Sequence, residues 1–349
     1  MTETPAFAER MKTMLNEACL ALQVSVGHQT GLFDVLAGLA PSTSEQIAGA
    51  AALNERYVRE WLAAMTVSGI VSYDPETRRY TLPAEHAASL TRAAGLGNQA
   101  SMLQYLAMMG EVEQQVVAAF KDGDGVPYSA YPRFQKLQGE ESARTFDAEL
   151  LTTVLPLAPG LAERLTRGIA VLDVGTGQGH AVNLLARAFP ASTFTGVDVS
   201  EAGIAAAREE ARAWGLTNAS FAVSDATRLE GEYDLVTTFD VIHDSAAPDD
   251  VLAAIHRVLR PGGTYLMQDT ACSTRLEDNI AHPLAPALYT FSVFYCMSVS
   301  LAQGGVGLGT MWGEQDALAR LATAGFTDVT TGKRPDDVMD LYYVARKPA

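Results

Sequence analysis

The segment Val171-Leu172-Asp173-Val174-Gly175-Thr176-Gly177-Gln178-Gly179 limits what this chain of 349 residues can fold into more than any other. A short apolar strand runs into a turn with a glycine at every second position. An apolar run from Ala181 to Phe189 follows and reads as a helix. Lacking a Cβ, the glycines let the backbone turn sharply with positive φ and let a ligand come close. The helix behind them offers free N–H groups at its N-terminus. Taken alone, the pattern also fits a tight strand-to-helix turn that holds nothing.

The pattern is repeated by further strands that end in acids. Phe194-Thr195-Gly196-Val197-Asp198 places a carboxylate at the spacing, about 20 residues past the glycines, that suits an acid gripping ribose hydroxyls. Phe221-Ala222-Val223-Ser224-Asp225-Ala226 is a third strand ending in an acid, and residues 233–240, closing on Asp240, are a fourth. Arg260-Pro261-Gly262-Gly263 is a turn feeding a fifth. The expected class is α/β, with a doubly wound sheet of seven strands completed by a helix at Asp316–Thr323 and strands at Phe326–Thr331 and Leu341–Arg346.

Over roughly 169–346 this series resembles the class I S-adenosylmethionine-dependent methyltransferases. The resemblance implies that Gly175, Gly177 and Gly179 pass under the methionine part of that cofactor. It implies that Asp198 binds ribose and that Asp225 meets the adenine amino group. Asp173 would hold the cofactor's amino group, often through water, and Asp240 would lie near its methionine end. Thr176, Val199, Ala226 and Val241, beside these positions, complete the candidate cofactor-binding set. A nicotinamide dehydrogenase, the nearest rival, expects Gly-x-Gly-x-x-Gly; here the third glycine comes one residue early.

Length favours two domains. The net charge of −16, from 25 basic and 41 acidic residues, opposes nucleic-acid phosphates unless basic groups cluster. Cys19, Cys272 and Cys296 show no metal spacing along the chain and leave an odd thiol, as expected in a reducing, cytoplasmic setting. No metal site is expected. Met1-Thr2-Glu3-Thr4-Pro5 does not read as a signal peptide. The longest apolar stretch, near Phe291–Ala302, is shorter than the roughly 20 residues that span a bilayer, so no membrane association is expected.

Residues 6–26 read as a helix with Phe7, Met11, Met14, Leu15, Ala18 and Leu22 on one face. Gly31–Leu36 continues into a short helix, Ser42-Thr43-Ser44-Glu45 reads as a capping box, and Asn54 caps a fourth helix buried through Val58, Trp61, Leu62 and Met65. Ile70–Tyr73 and Arg79–Leu82 form a hairpin. Helices followed by a hairpin make a winged helix. Residues 1–90 carry 6 basic and 10 acidic residues, which argues against DNA as the partner. Winged helix followed by methyltransferase resembles the plant-type small-molecule O-methyltransferases and their bacterial relatives. It implies a dimerisation domain at 1–92, a helical connector and substrate wall at 93–165, and a catalytic domain at 166–349, assembled as a homodimer.

A hydroxyl acceptor needs a base, because its proton must leave. Asp240-Val241-Ile242-His243-Asp244 follows the fourth strand, at the sheet edge where ligands bind in such folds. The family's His-Asp pair matches His243 and Asp244. It implies that His243 is the base, with Asp244 either orienting the ring or capping the next helix. Where those enzymes usually have a tryptophan just after, this chain has Ser245-Ala246-Ala247-Pro248. The insert at about 270–312, with His282, Tyr289, Phe291, Phe294, Tyr295 and Met297, reads as a lid or substrate wall. The glycines from Gly304 to Gly309 read as a mobile loop. Three other functions remain open: methylation of a small amine, a DNA-binding regulator that senses S-adenosylmethionine, and a cofactor-binding scaffold without turnover.

Overall fold

The computed structural model describes residues 4–335 and 337–349. Met1–Glu3, the start of the segment tested for a leader, lie outside the described residues. Contacts divide the chain into two compact units, Met1–Gly110 and Glu111–Ala349.

The first unit opens with a helix at Thr4–Thr30, longer at both ends than its periodicity indicates. Shorter helices follow at Leu32–Gly38, Ser44–Ala51 and Glu55–Val67, and then the hairpin β1 (Ser72–Asp74) and β2 (Arg79–Thr81). The capping box lies one residue later than the sequence indicates. The Thr43 hydroxyl accepts the Gln46 N–H, and the Gln46 side chain accepts the Thr43 N–H in return. Asn54 Oδ1 accepts the Arg56 N–H at 3.0 Å, which satisfies one free donor at that helix start. Val58, Trp61, Leu62 and Met65 are buried against Phe33 and Ile47. The first helix behaves otherwise: Phe7, Met11, Met14, Leu15 and Leu22 are all exposed, Leu15 at 65%. Its apolar face does not enter the core of this chain.

The second unit is built on seven strands: β3 (Ala170–Val174), β4 (Thr193–Asp198), β5 (Ala219–Val223), β6 (Tyr233–Phe239), β7 (Leu259–Thr270), β8 (Thr327–Gly332) and β9 (Asp340–Arg346). Their order across the sheet is β5-β4-β3-β6-β7-β9-β8, with β9 antiparallel to both neighbours and the other pairings parallel. The winding reverses between β3 and β6, so the loops at the C-terminal ends of those two strands diverge and leave a crevice. Both faces are covered. Val171 and Leu235 belong to one apolar cluster, Leu172 and Val236 to the other, as period-two alternation in a doubly covered sheet requires. The helices behind the strands lie at His180–Ala188, Glu201–Ala213 and Pro248–Val258.

The insert between β7 and the helix Glu314–Thr323 is mostly helical. It holds helices at Leu276–Asn279, Ala285–Phe291 and Met297–Ala302, the last two joined by a wide turn at Ser292–Cys296. The continuous run Ala285–Ala302, 18 residues, is apolar and long enough by composition to cross a membrane. Leu288, Tyr295, Cys296 and Val299 along it are buried within this chain.

Candidate functional site

Gly175, Gly177 and Gly179 have φ of +72°, +54° and +73°. At Gly175 a Cβ would lie 2.4 Å from a Val241 methyl, and at Gly179 2.5 Å from the Ala207 methyl. These two glycines therefore let the loop nest against the β6 loop and the helix after β4. The N–H groups of Gly175 and Thr176 both donate to the Val197 carbonyl, at 2.8 and 3.0 Å, which ties the turn to β4. Beyond its chain neighbours, no atom of the described residues lies within 4 Å of where a Gly177 Cβ would stand, so that stretch of backbone faces open space.

Asp198 completes the cradle. Its Oδ2 accepts the Gly177 N–H and its Oδ1 the Ser200 N–H, each at 2.8 Å. Burial raises its carboxyl above the usual range, and those N–H groups pull it back. The carboxylate has further acceptor capacity for hydroxyl groups. Val199 beside it is exposed. Asp225 is exposed and turned into its own chain: Oδ1 accepts both the N–H and the hydroxyl of Thr227 at 2.8 Å, the N–H foremost in lowering its pKa. Ala226 opens the short helical turn that Asp225 caps. Asp173 is buried in β3, takes the Thr237 hydroxyl at 2.6 Å, and is pushed by burial to about 6.

After β6 the backbone turns through Asp240, which has φ of +55° without being glycine. Its Oδ2 accepts the Gln268 amide at 3.0 Å. Burial and the Asp340 carboxylate push its own carboxyl well up. Ile242 is fully buried and anchors the loop, and His243 follows it inward. His243 Nδ1 lies 2.8 Å from Asp269 Oδ1, and Nε2 lies 3.1 Å from Asp244 Oδ1. Burial opposes its charge, yet Asp269 and Asp244 outweigh burial and hold the imidazole well above its ordinary value. Asp244 is thus at the other nitrogen from the one that orients the ring, and the next helix is entered at Ala247.

Asp269, Trp312 and Cys296 are residues that the sequence reading missed. Asp269 stands near the end of β7 and accepts on Oδ1 from His243, the Thr270 N–H and the Trp312 indole N–H, each at 2.8 Å. An acid at a strand's C-terminal end was the available signal. The wide turn brings Cys296 beside His243, and donor atoms of His243, Asp244 and Cys296 lie within 4.8 Å of one another. No spacing along the chain announces that set. Of the insert residues, Tyr295 stacks on Phe134 with ring centroids 4.0 Å apart, and Tyr131 meets it edge-on. His282 instead has Nε2 3.0 Å from the Val338 carbonyl.

The glycine run at 304–309 is no loose loop. Val306 N–H donates to the Ala246 carbonyl at 3.1 Å, and Gly309 N–H to the His243 carbonyl at 3.3 Å. A Cβ on Gly305 would meet Ala246 Cα at 2.4 Å, and one on Gly309 the Ser292 hydroxyl at 2.1 Å. The run lies against the loop that carries His243, and at Gly305 only glycine permits that approach; at Gly309 the space is limited by Ser292 of the wide turn.

A family model described as an Rv2258c-like winged helix-turn-helix domain matches residues 18–92, and one described as a methyltransferase domain matches residues 165–311. The chain carries a methyltransferase domain behind an N-terminal winged-helix domain. Among curated proteins, the arsenite methyltransferase of Aquipseudomonas alcaligenes is 31% identical over 170 residues, 46% of each chain. The fatty-acid O-methyltransferase of Mycolicibacterium smegmatis is 33% identical over 108 residues, 31% of this chain and 39% of that one. The chain spans less than half the length of the curated relatives it matches. Human N-acetylserotonin methyltransferase, solved with S-adenosylmethionine, superposes with a TM-score of 0.73 over 100% of both chains at 18% identity. At that identity it shows a shared fold.

Proposed function

We propose that this chain transfers the methyl group of S-adenosylmethionine to a hydroxyl of a small molecule, with His243 as general base. The cofactor, when bound, supplies an electrophilic methyl on a sulfonium. The chain's residues bind and align. The ribose diol fits the spare lone pairs of Asp198, the open backbone at Gly177 lets the cofactor approach, and the buried carboxyl of Asp173 suits its ammonium group. Orientation of acceptor and methyl then supplies much of the rate.

The observation that carries the reading is His243, buried at the end of β6 with Nδ1 held by Asp269. That contact assigns the ring proton to Nδ1 in the neutral form and leaves the Nε2 lone pair to take the acceptor's proton. The Asp244 carboxylate, 3.1 Å from Nε2, favours the imidazolium by its charge once formed. The stacked Phe134 and Tyr295 offer an aromatic wall. The exposed apolar face of the first helix supports a homodimer, and the acidic winged domain speaks against DNA.

The test is His243→Gln, assayed with an accepted substrate and by calorimetry with S-adenosylhomocysteine. Turnover should fall by about 10²–10⁴-fold with product affinity unchanged. Retained turnover overturns the histidine base and favours an amine acceptor.

A further inference from the structure

We propose that His243 Nε2, Asp244 Oδ1 and Cys296 Sγ form a three-ligand site for a thiophilic divalent cation of the zinc(II) class. One donor atom from each of the three residues lies within 4.8 Å of the other two, and Nε2 and Oδ1 are 3.1 Å apart. Nitrogen, thiolate and carboxylate are the ligands such a cation takes, and three of them leave a fourth position open. Calcium and magnesium prefer all-oxygen sets.

The surroundings are built as a metal site's are. A ligating histidine characteristically gives its other N–H to a carboxylate; here Asp269 takes Nδ1 and is itself fixed by Trp312 and Thr270. The Thr310 hydroxyl donates to Cys296 Sγ at 3.0 Å, a contact that satisfies a lone pair of a thiolate. Asp244 Oδ1 is buried without a well-aligned donor among the described residues. Burial and the Asp244 charge push the Cys296 thiol up to about 12, so the free thiol keeps its proton. Coordination forms the metal–sulfur and metal–nitrogen bonds and releases the thiol proton and the Nε2 proton of the imidazolium to solvent. The bound cation takes the Nε2 lone pair, so occupancy and base action exclude each other. That last clause rests on the base assigned to His243; the site itself does not.

The experiment uses the full chain, stripped with chelator and carrying Cys19→Ser to remove the exposed thiol, titrated with cobalt(II). We expect intense visible bands and a sulfur-to-cobalt charge-transfer band saturating at one equivalent, displaced by zinc(II). Cys296→Ser should lose the charge-transfer band, and Cys272→Ser should keep it. Asp269→Asn should keep the band with affinity weakened about 10–100-fold. Absence of the band, in protein with native circular dichroism and native S-adenosylhomocysteine binding, overturns the site and leaves Nε2 holding a proton only. Its persistence in Cys296→Ser also overturns it. The cobalt spectrum needs no substrate, so retained turnover in His243→Gln would sink the base without touching this result.

Discussion

His243 and Asp269 meet across two neighbouring strand ends, Nδ1 to Oδ1 at 2.8 Å, on a carboxylate oxygen that also receives the Trp312 indole and the Thr270 N–H. Three donors on one oxygen leave the carboxylate little freedom. Asp269 is the proposed positioning partner of His243, so Asp269→Asn should lower kcat at least about 10²-fold. It should also shift the pH profile down, because a charge that raises the His243 pKa is gone. An unmoved profile would make Asp269 merely structural.

The raised His243 pKa has a sign in both rate and stability. Only neutral imidazole accepts a proton, so kcat/KM should rise with pH through a value above the ordinary 6.5 or so. For stability the folded pKa exceeds the unfolded one. The stabilisation is therefore complete below the unfolded pKa and is lost as pH rises through the folded pKa. Urea titrations across neutral to alkaline pH should show that loss in the native chain and not in His243→Gln.

Asp173 changes stability in the same direction for a different reason: it is the charged form that its site penalises. Burial holds its folded carboxyl at about 6 against an ordinary 3.8, so this group's contribution to stability falls as pH climbs between those two values. Asp173→Asn keeps the hydroxyl contact from Thr237 and should gain on the order of 1–3 kcal/mol at pH 8. It should bind S-adenosylmethionine more weakly. Thermal melts and calorimetry at pH 5 and pH 8 check both halves; equal stability at pH 8 argues against the burial account.

Gly175→Ala forces a methyl to 2.4 Å from Val241 at a φ of +72°. Overpacking of this kind costs about 1–3 kcal/mol. The shift should spread to the β6 loop, lowering cofactor affinity together with the melting temperature. Gly177→Ala, with open space at its Cβ position, should melt closer to the native chain and lose cofactor affinity through contact with the ligand instead.

The exposed apolar face of the Thr4–Thr30 helix should close a dimer. Light scattering is expected to give twice 37.2 kDa. Leu15→Asp should dissociate it without unfolding the Trp61 core. A native monomer at micromolar concentration would leave that face without its proposed partner.

Much of this was legible because the information was local. The Gly175–Gly179 turn, the acids at strand ends and the Asn54 cap each depend on residues within a few positions. Asp225 shows the limit of such reading: its place at a strand end is visible, while its engagement with Thr227 is a choice between nearby hydrogen bonds. The periodicity of Phe7, Met11 and Leu15 indicates an apolar face but not whether this chain covers it. Cys296 was legible only as an odd thiol, because the helical insert that carries it to His243 has no strand-like or glycine signature.

The approach of the 304–309 run to the His243 loop joins two parts of the proposed site. The segment proposed to enclose the acceptor is also packed against the backbone that carries the proposed base. Reshaping the insert cannot leave the His243 loop where it is unless Gly305 stays bare. Under the proposed function, acceptor choice and base position are therefore tied together, and exchange of the insert should move both.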